Sequence, residues 1–303
     1  VTNGACGFMY EEISANKRNS ILLMAFFVAF VIFLGWIFGE VFFGGAGFWG
    51  IIIAMVLALG FALFGYFFSD KIVLSISKAK ELKKQDHPYL YNLLEGLSIG
   101  AGIPVPKAYV IEDTALNAFA TGRDPQHSVV VVTTGLLKTL DRQELEGVIA
   151  HELSHVKNYD IRLMTLVVVF VGIVALMSDI MLRSFLWGGG RGDSRGRGGI
   201  LLVILGLVLA ILAPIIATLI KLAISREREY LADASGVHLT RNPEGLASAL
   251  EKISKDKEPL EAANSATAHL YISNPLKNTK GWFDGMFSTH PPIEKRIARL
   301  RGM

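Results

Sequence analysis

His151-Glu152-Leu153-Ser154-His155 is the stretch whose residue types and spacing have the clearest chemical meaning. Four residues of α-helix advance the chain by about one turn, so both imidazoles leave one face and can grip a single metal ion. Glu152, directly after the first histidine, reaches a metal-bound water without ligating the metal itself. Two helical imidazoles plus an adjacent general base imply zinc-assisted peptide hydrolysis.

A hydrolytic zinc takes three protein ligands and keeps one position for water. His151 and His155 would supply two, and the third must come from another element. Ser225-Arg226-Glu227-Arg228-Glu229-Tyr230-Leu231-Ala232-Asp233 reads as helix, with Glu229 and Asp233 four apart on one face. Glu229 is the candidate ligand. Asp233 is the candidate carboxylate behind a ligand histidine, His151 by preference, where it would set tautomer and basicity. A solvated charged helix with Arg–Glu pairs has the same composition, and spacing alone leaves both readings open.

The helix that carries the pair must be well started. Asp141 is a good N-cap, Glu144 completes a capping box, and Leu145, Val148, Ile149 and Val156 make an apolar face. Upstream, helical periodicity runs from about Ser75 to Ile99. Ala108–Ile111, Ala118–Thr121 and Ser128–Thr133 read as short strands of a meander, with a turn at Gly122-Arg123-Asp124-Pro125.

Around these polar regions the chain is apolar. Its 303 residues are 51% hydrophobic, and the apolar residues are concentrated. Ile21–Phe38, Phe48–Phe68, Leu163–Leu182 and Ile200–Ala223 are each long enough to cross a hydrocarbon core of about 30 Å as helix, and none shows a polar stripe. The expected organisation follows. Residues 1–20 precede the first span, with Met9 an alternative start, and 21–68 hold two spans. Residues 69–160 form the first part of a catalytic domain. A membrane hairpin with a Gly/Arg-rich loop at 188–199 occupies 161–224, and 225–303 form the second part. The first span is too long for a signal core and is read as an anchor. The fold class expected is mostly α with a small β-meander (α+β), a multi-span membrane protein with a gluzincin-like zincin domain.

Two crossings separate the polar regions, so both can lie on one side. Lys17 and Arg18 precede the first span, Lys71, Lys78, Lys80, Lys83 and Lys84 follow the second, and the loop between has Glu40 alone. The positive-inside rule puts both polar regions in the cytoplasm. Arg183, Arg191, Arg195 and Arg197 oppose this assignment, and the first pair of spans is taken to dominate. The single cysteine, Cys6, leaves no intramolecular disulfide or cysteine metal site. A net charge of +3, with no basic-aromatic cluster, gives no reason to expect nucleic acid.

The order of these features is specific. His-Glu-Leu-Ser-His on a capped helix, a hydrophobic hairpin, Arg228-Glu229-Tyr230-Leu231-Ala232-Asp233, then Ser288-Thr289-His290-Pro291 together resemble the HtpX-type membrane metalloproteases, relatives of the CAAX prenyl protease family. The resemblance covers nearly the whole chain. It implies one Zn2+ on His151, His155 and Glu229, with Glu152 as catalytic base. It also implies a multi-pass enzyme of the bacterial or archaeal cytoplasmic (inner) membrane, its active site facing the cytoplasm. Such an enzyme degrades misfolded or damaged membrane proteins under stress. Its partners would be polypeptide substrates and the lipid bilayer. Asn117-Ala118-Phe119-Ala120-Thr121-Gly122 resembles the strand beside the family's cleft, and Asn117 and Ala118 become candidates for backbone contact with substrate. His290 is a candidate for stabilising the oxyanion, or for holding the metal's open position at rest, or is a turn histidine fixed by Pro291 and Pro292. Two other readings stand beside this one: a site-specific processing peptidase of the prenyl-protease type, and a non-catalytic zinc-binding scaffold. Against the scaffold, a structural site has no use for Glu152.

Overall fold

A computed structural model describes residues 2–43, 47–188, 226–264, 266–276 and 291–303. The chain opens with two long helices, α1 (Thr2–Phe43) and α2 (Gly47–Ile76). Within them Glu11–Trp36 and Phe48–Ile76 are long and apolar enough to cross a bilayer. Their outward residues, among them Ile21, Phe48, Trp49, Ile53 and Val56, are exposed, as lipid-facing side chains are.

The polar part is built on a four-stranded sheet of β1 (Lys80–Glu81), β2 (Lys107–Ile111), β3 (Ala118–Gly122) and β4 (Ser128–Thr133), in the order β1-β2-β4-β3. The three strands read from sequence are present, but the sheet is mixed rather than a plain meander. β4 pairs antiparallel with β3 and then parallel with β2, which places it at the centre. Its unbroken run Val129–Val132 suits that place, because a central strand covered on both faces has no solvent side. Alternation sorts the side chains. Phe119, Val129 and Val131 point to a core shared with α1, α2 and a later helix, α6 (Asp160–Gly188). Ala118, Ala120, Val130 and Val132 point to a second core on the opposite face.

The helical periodicity expected from Ser75 to Ile99 is broken. α2 ends in a turn where Lys78 has φ 52°, β1 follows, and α3 (Pro88–Ala101) begins only at a proline, with His87 as its N-cap. Proline at the first helical position has no N–H to waste and cannot continue an earlier helix.

α4 (Thr134–Thr139) leads into α5 (Arg142–Lys157), which packs in the second core with α3 and α8 (Pro243–Lys255). An 80° bend at Asn158–Tyr159 separates α5 from α6 (Asp160–Gly188). α6 contains the third expected span. Its first half is not lipid-facing: Ile161 to Phe170 are almost all buried, and Phe170 stacks on Phe27 of α1 at 4.1 Å. The rest of the 188–199 loop, from residue 189 on, and the expected fourth span lie outside the described residues. Beyond them come α7 (Arg226–Thr240), α8 and α9 (Ile293–Leu300).

Candidate metal centre

α5 starts as its sequence requires. The Asp141 carboxylate accepts from Gln143 N at 2.9 Å and Glu144 N at 3.0 Å, while Glu144 Oε2 accepts from Asp141 N at 2.8 Å. Glu144 also accepts from Ser248 Oγ at 2.6 Å and Lys252 Nζ at 2.7 Å, so the capping box doubles as a tie to α8. Gly147 allows that close crossing: a Cβ there would stand 2.7 Å from Leu246 N. Three turns of secured helix then deliver His151, Glu152 and His155, all buried, to one place.

α7 lies across them. A Cβ at Gly236 would stand 3.1 Å from His151 N, so the missing side chain lets the two backbones approach. Glu229 and Asp233, also buried, meet the two histidines from this helix. His151 Nε2 and His155 Nε2 are 3.3 Å apart. Glu229 Oε1 is 3.6 Å from the latter, and Glu229 Oε2 is 3.8 Å from the former. One ligand atom from each of the three residues falls within a common 4.8 Å. Two imidazole nitrogens and a carboxylate, converging and buried, form a donor set suited to a divalent first-row metal.

Each histidine is held from behind. His151 Nδ1 is 2.9 Å from Asp233 Oδ1, and His155 Nδ1 is 2.9 Å from Asp160 Oδ2. A carboxylate accepting the Nδ1 proton leaves the Nε2 lone pair for the metal. The fully buried Arg296 of α9 closes the arrangement. Its Nε and Nη2 donate to Asp233 at 2.9 and 2.6 Å, and its Nη1 lies 3.4 Å from Glu229 Oε2. Burial raises the Asp233 pKa, but the Arg296 charge and the His151 hydrogen bond outweigh it and hold the carboxyl down at about 2. Burial disfavours the charged form of His155 and lowers its pKa, yet its bond to Asp160 and the charges of Glu229, Asp160 and Glu152 push it up to about 9. Burial raises Glu152 above the usual carboxylate range, only partly offset by the two histidines. A carboxylate so placed is a better base near neutrality than an exposed one.

Of the residues singled out in the sequence, His151, Glu152, His155, Glu229 and Asp233 come together. Asn117 and Ala118 lie at the start of β3, but their backbone groups are engaged within the protein. Asn117 N donates to Thr133 Oγ1 at 3.2 Å, and Ala118 O accepts from Ile272 N at 2.9 Å. His290 lies outside the described residues. Two further members of the centre, Asp160 and Arg296, are brought to it by the fold. An acidic residue just past the second histidine was the one local signal for Asp160. Arg296 carried none beyond its place six residues after His290.

Comparison with known proteins agrees with this geometry. The model of peptidase family M48 matches residues 84–303. The chain is 52% identical over 294 residues to a protein named protease HtpX homolog from Dictyoglomus thermophilum, covering 97% of this chain and 94% of that one. It is 46% identical over 295 residues to the protease HtpX homolog of Tropheryma whipplei, covering 97% and 98%. Among solved structures, S. mikatae Ste24p matches with a TM-score of 0.51 at 19% identity, over 95% of this chain and 66% of that one, a likeness of fold. The resemblance carried by the histidine pair and the Glu229 helix thus extends over 97% of the chain, which belongs to peptidase family M48 alongside the HtpX homologues.

Proposed function

We propose that the chain is a zinc-dependent endopeptidase of the cytoplasmic membrane that cleaves misfolded or damaged membrane proteins, with its active site on the cytoplasmic side. The observation that carries the chemistry is the spacing of the three donors. Tetrahedral zinc, with bonds of about 2.0–2.1 Å, needs its ligand atoms about 3.3 Å apart. His151 Nε2 and His155 Nε2 stand 3.3 Å apart, Glu229 brings Oε1 to 3.6 Å from the latter and Oε2 to 3.8 Å from the former, and one donor atom from each residue falls within 4.8 Å, so a small movement of the Glu229 carboxylate completes the set. His151, His155 and Glu229 would hold the zinc, which would supply a lowered pKa to a water and polarisation of the scissile carbonyl.

The remaining steps fall to side chains. Asp233 and Asp160 keep both Nε2 atoms turned inward. Arg296 balances Asp233 and Glu229, so that these two carboxylates can be buried together. Glu152 accepts the proton of the attacking water and delivers it to the departing amine. His290 is assigned to the carbonyl oxygen as it gains charge. A substrate strand laid along β3 at Asn117 and Ala118 would take the place of the segment around Ile272 that now bonds Ala118 O. The membrane setting is supported by the two apolar helices, and the cytoplasmic orientation by the lysines that follow α2.

The test compares the full chain with its Glu152→Gln variant in nanodiscs. Both should hold one zinc per chain, and only the unaltered protein should cut an unfolded polypeptide. Equal cleavage by both would remove Glu152 from the reaction. Zinc retained without any cleavage by the unaltered protein would favour the scaffold reading.

A further inference from the structure

Asn16 belongs to α1, in the polar turns that lead into the apolar run Ile21–Phe38, and is 1% exposed. A carboxamide buried there is costly unless it is hydrogen-bonded. Its partners are not on a neighbouring membrane helix face but at the bend between α5 and α6. Asn16 Nδ2 donates to the Asn158 carbonyl at 2.9 Å and to Asp160 Oδ1 at 2.6 Å. The other oxygen of the same carboxylate, Asp160 Oδ2, is the one 2.9 Å from His155 Nδ1. A hydrogen-bonded relay therefore runs from the first membrane helix, through Asp160, to a metal-ligand histidine.

We propose that Asn16 is a positioning residue for the metal centre: it holds Asp160 so that His155 presents Nε2 to the metal. A carboxylate on its own rotates about its last bond and can offer either oxygen. With Oδ1 taken by Asn16, the direction of Oδ2 is set, and with it the plane of the His155 ring.

The grip on the bend is broader than one bond. Tyr159 has φ 62°, a left-handed conformation unusual for a residue with a side chain. Lys17, next to Asn16, places Nζ 4.2 Å from the Tyr159 ring centroid, and Arg162 stands 4.9 Å from the same ring. One turn after Asn16, Ser20 Oγ donates to the Asn16 carbonyl at 2.8 Å. Two consecutive residues of α1 thus clasp both sides of the turn that aims Asp160. The helix of the first span is accordingly part of the ligand support and not only an anchor, so its seating in the bilayer is felt at the metal.

This inference rests on the reading of His151, His155 and Glu229 as the metal site. Its test uses the full chain in nanodiscs and reads zinc affinity by chelator competition, together with the d–d absorption of the Co2+-substituted protein. Asn16→Leu should weaken zinc binding about 10-fold and shift the cobalt bands. Asn16→Gln, which keeps an N–H donor, should recover most of the loss. In an Asp160→Asn background, Asn16→Leu should have no further effect on zinc affinity. If the leucine variant does not fold, Asn16→Asp has nearly the same shape, sets a carboxylate against Asp160, and should give the same weakening.

A fall in thermal stability with zinc affinity and cobalt spectrum unchanged would overturn the proposal, leaving Asn16 a helix-packing residue. So would additive effects of Asn16→Leu and Asp160→Asn. Failure of the parent metal reading is distinguishable: zinc binding by the unaltered protein would then survive His151→Ala.

Discussion

Arg296 Nη2 lies 2.6 Å from Asp233 Oδ1, the same oxygen that stands 2.9 Å from His151 Nδ1. One carboxylate oxygen thus joins a wholly buried guanidinium to the imidazole of His151, a candidate metal ligand, and α9 supports the centre from behind. A buried ion pair adds little over an apolar replacement, but losing one partner strands the other charge. Arg296→Met should therefore destabilise the protein by about 3–5 kcal/mol and weaken metal binding about 10-fold or more. The double variant Arg296→Met with Asp233→Asn should be less unstable than the sum of the singles, as read from denaturant unfolding. Additive losses would mean that the pair is not coupled.

Acid should expose the same contact. The Asp233 carboxyl is held down at about 2 from an ordinary 3.8. A carboxyl depressed in the folded state contributes stability that is complete above the ordinary value and disappears as pH falls through the folded one. The window is therefore from about pH 4 down to about pH 2, and the loss is about 2 kcal/mol. Asp233→Asn should be less stable at neutrality and should lack this share of the acid dependence. Parallel acid curves for the two proteins would contradict the assignment.

The crossing of α5 and α8 depends on Gly147. A Cβ there would meet backbone, at 2.7 Å from Leu246 N and 2.8 Å from its Cα, and backbone does not swing aside as a side-chain tip can. Gly147→Ala should lower the unfolding free energy by about 1–3 kcal/mol. The capping box lies one turn away, and Asp141→Ala should cost about 1 kcal/mol more. Thermal melts of the single and double variants would measure both.

Metal removal should be legible in stability as well as in activity. A ligand that binds only the folded state stabilises it by about 4 kcal/mol at a thousandfold excess over Kd. Adding zinc to chelator-stripped protein should raise the melting temperature, and Glu229→Gln should abolish most of that rise. A rise that persists in the Glu229 variant would place the ion elsewhere.

The sequence by itself determined whatever depends on neighbours along the chain. One helical turn sets His151 beside His155, so their pairing was readable before any fold was known. The Asp141–Glu144 cap was readable for the same reason, as were the apolar length of the first two spans and the short runs that mark β3 and β4. Glu229 was less legible, because an Arg–Glu helix has the same composition whether it is solvated or buried, and only the resemblance to a family separated the two.

Tertiary structure alone decided the rest. Periodicity tells which side chains share a face but not which strand sits beside which, so the placing of β4 between β2 and β3 was hidden. The carboxylates and cation that support the centre were hidden too. Asp160 faces His155 only because the chain turns 80° between α5 and α6, and Arg296 faces Asp233 from 63 residues away. Asn16 meets Asp160 across 144. A local pattern can specify which groups are capable of holding a metal. Which polar groups are buried against them is settled when distant segments pack, since burial itself makes those partners necessary.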